Sequence, residues 1–250
     1  MARETRPGIL RHLSDEPLII KDDAGVRHLI LNRPDKINAI DYAQHLRLMA
    51  QFDVAEEDPS VKVIALSGVG RGFCSGDDLT ATAFKGTDPY HHRKVDLEMG
   101  SGPAVLLESC RKLHHLSKPT VALMHGIALG SGYDYSLSCD FRVVTSDIRY
   151  GDPRIDRALW AAEGWSYKLP RLTNLSIVSR IAYLGEIMNG SQAMAYGLAH
   201  AIVDGEPDIR ESSRTFLENL VRVSTPAYGQ VKHAMLRGLD ADFEKALSIA

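Results

Sequence analysis

Gly68-Val69-Gly70-Arg71-Gly72-Phe73-Cys74-Ser75-Gly76-Asp77-Asp78-Leu79 and His125-Gly126-Ile127-Ala128-Leu129-Gly130-Ser131-Gly132-Tyr133-Asp134 are two small-residue stretches, each placed just after a buried-looking strand. A strand that ends in a glycine-rich turn and enters a helix leaves backbone N–H groups unpaired at the helix start. The helix dipole adds partial positive charge there. An anion, or an oxygen becoming anionic, is stabilised at such a place. The chain makes this arrangement twice, at Ser75/Gly76 and at Ser131/Gly132. Two readings stand at this point: two tight turns with no shared target, or two donors aimed at one oxygen. Neither stretch is a phosphate P-loop, because no Gly-Lys-Ser/Thr follows.

Working outward, residues 17–21 and 26–31 are short apolar-rich runs separated by Asp22-Asp23-Ala24-Gly25, which predicts a β-hairpin. Residues 32–41 read as a loop. Asp41 is a good N-cap for a helix over 42–57, with Leu46, Leu48, Met49, Phe52 and Val54 near helical spacing. Residues 61–66 and 120–124 read as buried strands, and 141–145 and 148–150 as further short ones. Residues 80–103 predict a long loop merging into a helix over 104–116. The alternation of strand and helix predicts an α/β core with parallel pairings. After about residue 174 the pattern is helical only, over 175–188, 191–197, 208–223 and 226–247. A core over 1–174 and a helical C-terminal region over 175–250 follow from that shift.

Composition narrows the function. In 250 residues, apolar residues make up 44% and charged residues 24%, ordinary for a globular protein. A net charge of −3 argues against a nucleic-acid binder. No apolar run approaches the ~20 residues that span a bilayer, so no membrane partner is expected. The start of the chain has no apolar h-region, so no secretory signal is read. Cys74, Cys110 and Cys139 show no CxxC spacing and predict reduced thiols in a cytoplasmic protein, with no metal site.

Longer patterns carry a resemblance. Asn32-Arg33-Pro34-Asp35-Lys36-Ile37-Asn38-Ala39-Ile40 is similar to the Asn-Arg-Pro-x-x-x-Asn-Ala-Leu segment of the crotonase (enoyl-CoA hydratase/isomerase) superfamily. Phe73 to Leu79 resembles its Phe-x-x-Gly-x-Asp-Leu. Ala128-Leu129-Gly130-Ser131-Gly132 followed by Cys139-Asp140 resembles its Ala-x-Gly-Gly-Gly…Cys-Asp. Gly185-Glu186 and Ala195-Tyr196-Gly197-Leu198 match its helical-region signature. The matches keep the family's order and spacing over about residues 17–205.

The resemblance implies an α/β, crotonase-like spiral of repeated ββα units with a helical C-terminal trimerisation region. It implies a homotrimer or a dimer of trimers. It implies an acyl-CoA substrate, with coenzyme A entering only as part of the thioester and no other cofactor. The backbone N–H groups of Ser75 and Ser131 would form an oxyanion hole for the thioester enolate. Lys36 and Ala39, with Gly76, Asp78 and nearby backbone, would hold the coenzyme A moiety. A solvated loop lysine is the plain alternative for Lys36.

Asp134 occupies a position that carries a glutamate in two-carboxylate hydratases. A carboxylate there can position water or move a proton at the acyl Cα or Cβ. Its plain alternative is a first-turn acid complementing the helix dipole. Arg154 is the main departure, standing where the family has its second catalytic glutamate. Arginine is no general acid/base near neutral pH. It would pair with Asp134, bind an anionic group on the substrate, or turn outward as a surface charge. Glu163 is the candidate to replace the missing acid, or else an exposed loop glutamate. Trp160 and Trp165 would line an acyl pocket or simply pack. Cys74 reads as a packing residue, and Asp140 as structural. His91-His92 and His114-His115 read as diverging surface pairs.

The expected function is an enoyl-CoA hydratase/isomerase-type enzyme, a lyase or isomerase. Its alternative is a crotonase-fold hydrolase, decarboxylase or C–C lyase on an anionic or oxo acyl-CoA. A non-catalytic CoA-ester binder is the further alternative.

Overall fold

The computed structural model describes residues 16–80, 102–159, 164–204 and 208–249. Strands β1 (Leu18–Asp23) and β2 (Val26–Leu31) form the expected antiparallel hairpin. Its two turn residues, Ala24 and Gly25, both have positive φ, which matches the right-handed twist of the strands. β2 then runs parallel to β3 (Val63–Gly68), β3 to β4 (Thr120–Met124), and β4 to β6 (Phe141–Val144). A two-residue strand, β9 (Ala201–Ile202), closes this six-stranded sheet beside β6.

A second, smaller layer sits beside the first. β5 (Ile127–Leu129) pairs in parallel with β7 (Arg149–Gly151), and β7 pairs antiparallel with β8 (Ile187–Met188). Single bridges extend the layer, Cys74 to Ala128 and Ile40 to Asp77. Each turn of the chain therefore lays one strand in the large sheet and a shorter piece in the second layer. This is the crotonase-like spiral.

The core explains why the central strands look apolar throughout. On one face of the sheet Leu29, Leu31, Leu66 and Met124 pack with Ile40, Phe73, Ala128 and Tyr150 of the second layer. On the other face Val63, Ala65, Val121, Leu123 and Val143 pack with Ile209 and Leu217. Strands covered on both faces need no polar side. Helix α1 (Tyr42–Glu57) starts at Asp41 in a capping box with Gln44 and buries Gln44, His45, Leu48, Met49, Phe52 and Ala55 on one face. Helices α2 (Gly102–His115) and α3 (Ser131–Ser138) follow.

After residue 174 the chain is not helical only. Helices α4 (Trp165–Leu172), α5 (Leu175–Leu184) and α6 (Gly190–Ala195) alternate with β8 and β9. Val178, Ile181, Met188, Ala193 and Leu198 belong to the main core cluster. Residues 175–204 are thus part of the spiral. The expected helix over 208–223 is two, α7 (Ile209–Ser212) and α8 (Arg214–Val221), and that over 226–247 is α9 (Thr225–Gly238) and α10 (Phe243–Leu247). No helix among the described residues is long and apolar enough to cross a membrane.

Candidate active site between two glycine-rich loops

Asn38 builds the first loop. It lies in the left-handed region with φ 55°. Its Oδ1 accepts from Arg33 N at 2.8 Å, and its Nδ2 donates to Val69 O at 2.9 Å and Gly72 O at 2.8 Å. The buried amide thus ties the segment after β2 to the turn after β3. The chain then enters the second layer, where Cys74 N donates to Ile127 O and Leu129 N donates to Cys74 O. Ile40 N donates to Gly76 O, and Asp78 N donates to Ile40 O. The second loop leaves β5 through Gly130, at φ 54°, and enters α3. The loops touch: a Cβ on Gly132 would lie 2.7 Å from Cys74 Cβ.

Between them lies a cavity of about 170 Å³, lined by Ser75, Gly76, Asp77, Leu79, Leu129, Gly130, Ser131, Pro153, Arg154, Arg157 and Leu159. Two amides on its wall, Asp77 N–H and Ser131 N–H, donate to no acceptor among the described residues. Ser131 N–H belongs to the first turn of α3, where the dipole is positive. The Ser75 amide differs from expectation. It donates to Ile37 O at 3.0 Å, and the Ser75 hydroxyl donates to Lys36 O at 3.1 Å. An amide already spent on the backbone is not available to a ligand, so the open donor of this loop is two residues further on.

Asp134 is brought to the site but not onto the cavity wall. Its carboxylate is fully buried, and both oxygens lie 2.9 Å from Arg154 Nη2. Arg154 is also held by Asp152, through Nε at 2.7 Å and Nη2 at 2.9 Å. Of the three roles open to Arg154, the structure places it in the first, paired with Asp134. Burial pushes the Asp134 carboxyl up to about 6; Arg154 opposes this, and Asp152 and Asp77 add to it.

Asp77 is the carboxylate that lines the cavity. Its Oδ1 accepts from the Ser131 hydroxyl and lies 3.1 Å from Nε2 of the fully buried His45. His45 Nδ1 lies 2.8 Å from Tyr135 Oη, which donates to Ser109 Oγ at 2.7 Å. Ser131, which departs from the family's glycine, is accommodated at the start of a right-handed helix, and its hydroxyl is used on Asp77.

On the rim, Lys36 Nζ lies 2.7 Å from Asp78 Oδ2, and Arg33 Nη2 lies 2.6 Å from the same oxygen. Burial would raise the Asp78 carboxyl, but hydrogen bonds from Lys36, Thr80 and Arg33 outweigh it and hold the group well below the usual range. Ala39 offers its carbonyl to Arg33 Nη1 at 2.7 Å. Glu163 and Trp160 lie outside the described residues, as do His91 and His92. Trp165 packs on the main core. Asp140 accepts from Thr120 N and pairs with Lys232, a structural role. Cys74 is buried, which pushes its thiol up to about 12 and leaves it inert. His114 and His115 do not diverge; their rings meet edge to face with centroids 5.2 Å apart.

A family profile described as enoyl-CoA hydratase/isomerase matches residues 26–246. The chain belongs to this family. Among its curated relatives is a crotonyl-CoA hydratase of Syntrophomonas wolfei, 24% identical, with 94% of this chain and 86% of that protein covered. The peroxisomal Delta(3,5)-Delta(2,4)-dienoyl-CoA isomerase of Arabidopsis thaliana is 27% identical, with 90% and 82% covered. A solved structure from Pseudomonas aeruginosa is 31% identical, covers 93% of this chain and 96% of its own, and superposes with a TM-score of 0.82. Within this family the spacing of the two loops locates the site. It does not single out Asp77, an unspecified position of the Phe-x-x-Gly-x-Asp-Leu pattern, or His45. One signal for His45 was present: it sits on the apolar face of α1 with Leu48, Met49 and Phe52.

Proposed function

We propose that the chain acts on acyl-CoA thioesters by stabilising an enolate at the thioester carbonyl, and that its net reaction is isomerisation in preference to two-acid hydration. The observation that carries this reading is the pair of open amides, Asp77 N–H and Ser131 N–H, on one cavity wall. A thioester oxygen placed between them accepts both hydrogen bonds. As a proton leaves Cα, charge grows on that oxygen and both bonds strengthen. One such donor is worth about 3 kcal/mol of transition-state stabilisation. Relatives named for hydration and for isomerisation share the CoA thioester, which favours a common enolate step.

Isomerisation is favoured because Arg154 occupies the place of a second acid and is neutralised by Asp134 and Asp152. Isomerisation needs one proton-transfer group that takes a proton from Cα and gives one to C4. Gly76 forms part of the cavity wall, and Lys36, 46% exposed on the rim, is the cation positioned to exchange Asp78 for a coenzyme A phosphate. A second reading, cleavage of an anionic or oxo acyl-CoA, is favoured by one observation: the exposed Arg157 lines the same cavity.

The test follows enoyl absorbance and free thiol together on a 3-enoyl-CoA, a 2-enoyl-CoA and a carboxylated acyl-CoA. The expected result is conversion of the 3-enoyl to the conjugated 2-enoyl ester with the thioester intact, faster than any hydration. Thiol release from the carboxylated ester alone, or a loss of mass from it with the thioester intact, would select the second reading. Binding of all three with no change in any would leave a non-catalytic CoA-ester binder.

A further inference from the structure

Isomerisation needs a proton-transfer group that reaches substrate, and the acid expected for it, Asp134, is sealed beneath Arg154. Asp77 is differently placed. Its side chain is 19% exposed on the cavity wall, in the same residue that offers an open amide. Its Oδ1 is committed to Ser131 and His45, while Oδ2 accepts no hydrogen bond among the described residues.

A relay of contacts runs behind Asp77. Tyr135 donates to Ser109 Oγ. Tyr135 Oη lies 2.8 Å from His45 Nδ1. The other ring nitrogen, Nε2, lies 3.1 Å from Asp77 Oδ1. A fully buried histidine is costly unless both nitrogens are satisfied, and here both are.

We propose that Asp77 is the catalytic acid/base of this site and that His45 is a positioning residue, which holds Asp77 Oδ1 and so orients Oδ2 into the cavity. The assignment rests on the thioester reading above. Asp77 acts as a carboxylate whose Oδ1 is held by Ser131 and His45. Its Oδ2 takes a proton from Cα of a 3-enoyl-CoA. The C–H electron pair becomes the new double bond between Cα and the carbonyl carbon, and the carbonyl pair moves onto the oxygen held by the amides of Asp77 and Ser131. Asp77, its acid proton open to exchange with solvent, then gives a proton to C4 as the dienolate collapses. The double bond has moved from C3–C4 to C2–C3, and Asp77 is again a carboxylate.

The experiment uses the full chain, with 3-enoyl-CoA turnover and CoA-thioester binding measured in parallel. Asp77→Asn keeps the backbone amide and the side-chain size. It is expected to lower kcat about 10²- to 10⁴-fold with binding retained, the range for loss of a general acid/base. His45→Gln is expected to lower kcat at unchanged KM, which a purely structural role would not do. Asp134→Asn is expected to lose less than Asp77→Asn. Each variant is judged on protein whose thioester binding matches native. Native turnover with Asp77→Asn unimpaired, or a larger loss in Asp134→Asn, overturns this assignment alone. A native protein that binds thioesters and turns none over overturns the function reading and this assignment with it.

Discussion

Asp134 is a buried carboxylate under opposing influences. Burial raises its carboxyl to about 6 despite the arginine 2.9 Å away. A raised carboxyl binds its proton more tightly in the folded chain than in the unfolded one. Its stabilising contribution is complete below the ordinary value of 3.8 and is lost as pH rises through about 6. At roughly 1.4 kcal/mol per pH unit the loss amounts to about 3 kcal/mol at most. The melting temperature of native protein relative to Asp134→Asn should therefore fall between pH 4 and pH 7. A gap that widens with pH would mean that the Arg154 ion pair outweighs burial. At this scale the sequence was partly legible. Asp134, Arg154 and Ser131 do come together, as the motif spacing suggested. The Ser75 amide is spent on Ile37 O, and a turn's sequence does not reveal which amide serves its own backbone. Asp77 and His45 escaped notice because their meaning comes only from each other, across separate segments.

Among the elements, the contact between the start of α3 and the strand piece at Cys74 sets the gap between the two loops. Gly132 is required there by space: an added Cβ would meet Cys74 Cβ at 2.7 Å and Cys74 O at 2.8 Å. Gly132→Ala is expected to destabilise by about 1–3 kcal/mol through overpacking. It should also lower turnover, because the Ser131 amide moves with its neighbour. Thermal unfolding and a kcat measurement on one preparation check both, and an unshifted melting temperature would contradict the packing account. The hairpin, α1 and the central strands were legible because each carries a local signal: turn residues, a capping box, or a run of apolar side chains. β5, β8 and β9 were not, since two or three residues carry no period. They are strands only because distant segments pair with them. The same cause hid the two short strands after residue 174, β8 at the end of a helical pattern and β9 between two of them.

At the scale of the whole molecule, the spiral brings residues 32–41, 73–79, 127–134 and 152–159 to one place, although they are scattered through the chain. No local pattern predicts that convergence, because it depends on parallel ladders between remote strands. It became readable only through the resemblance of several motifs in a fixed order, which the family match over residues 26–246 bears out. The central claim is that this convergence makes a site for a thioester enolate. Deuterium uptake at Cα measures that step whatever the net reaction. Native protein and a 3-enoyl-CoA would be incubated in D₂O, and the recovered ester would be weighed by mass spectrometry for label. Label in recovered ester, well above a no-enzyme control, is the predicted result. Unlabelled ester with its double bond unmoved, from protein shown to bind it, would contradict the account.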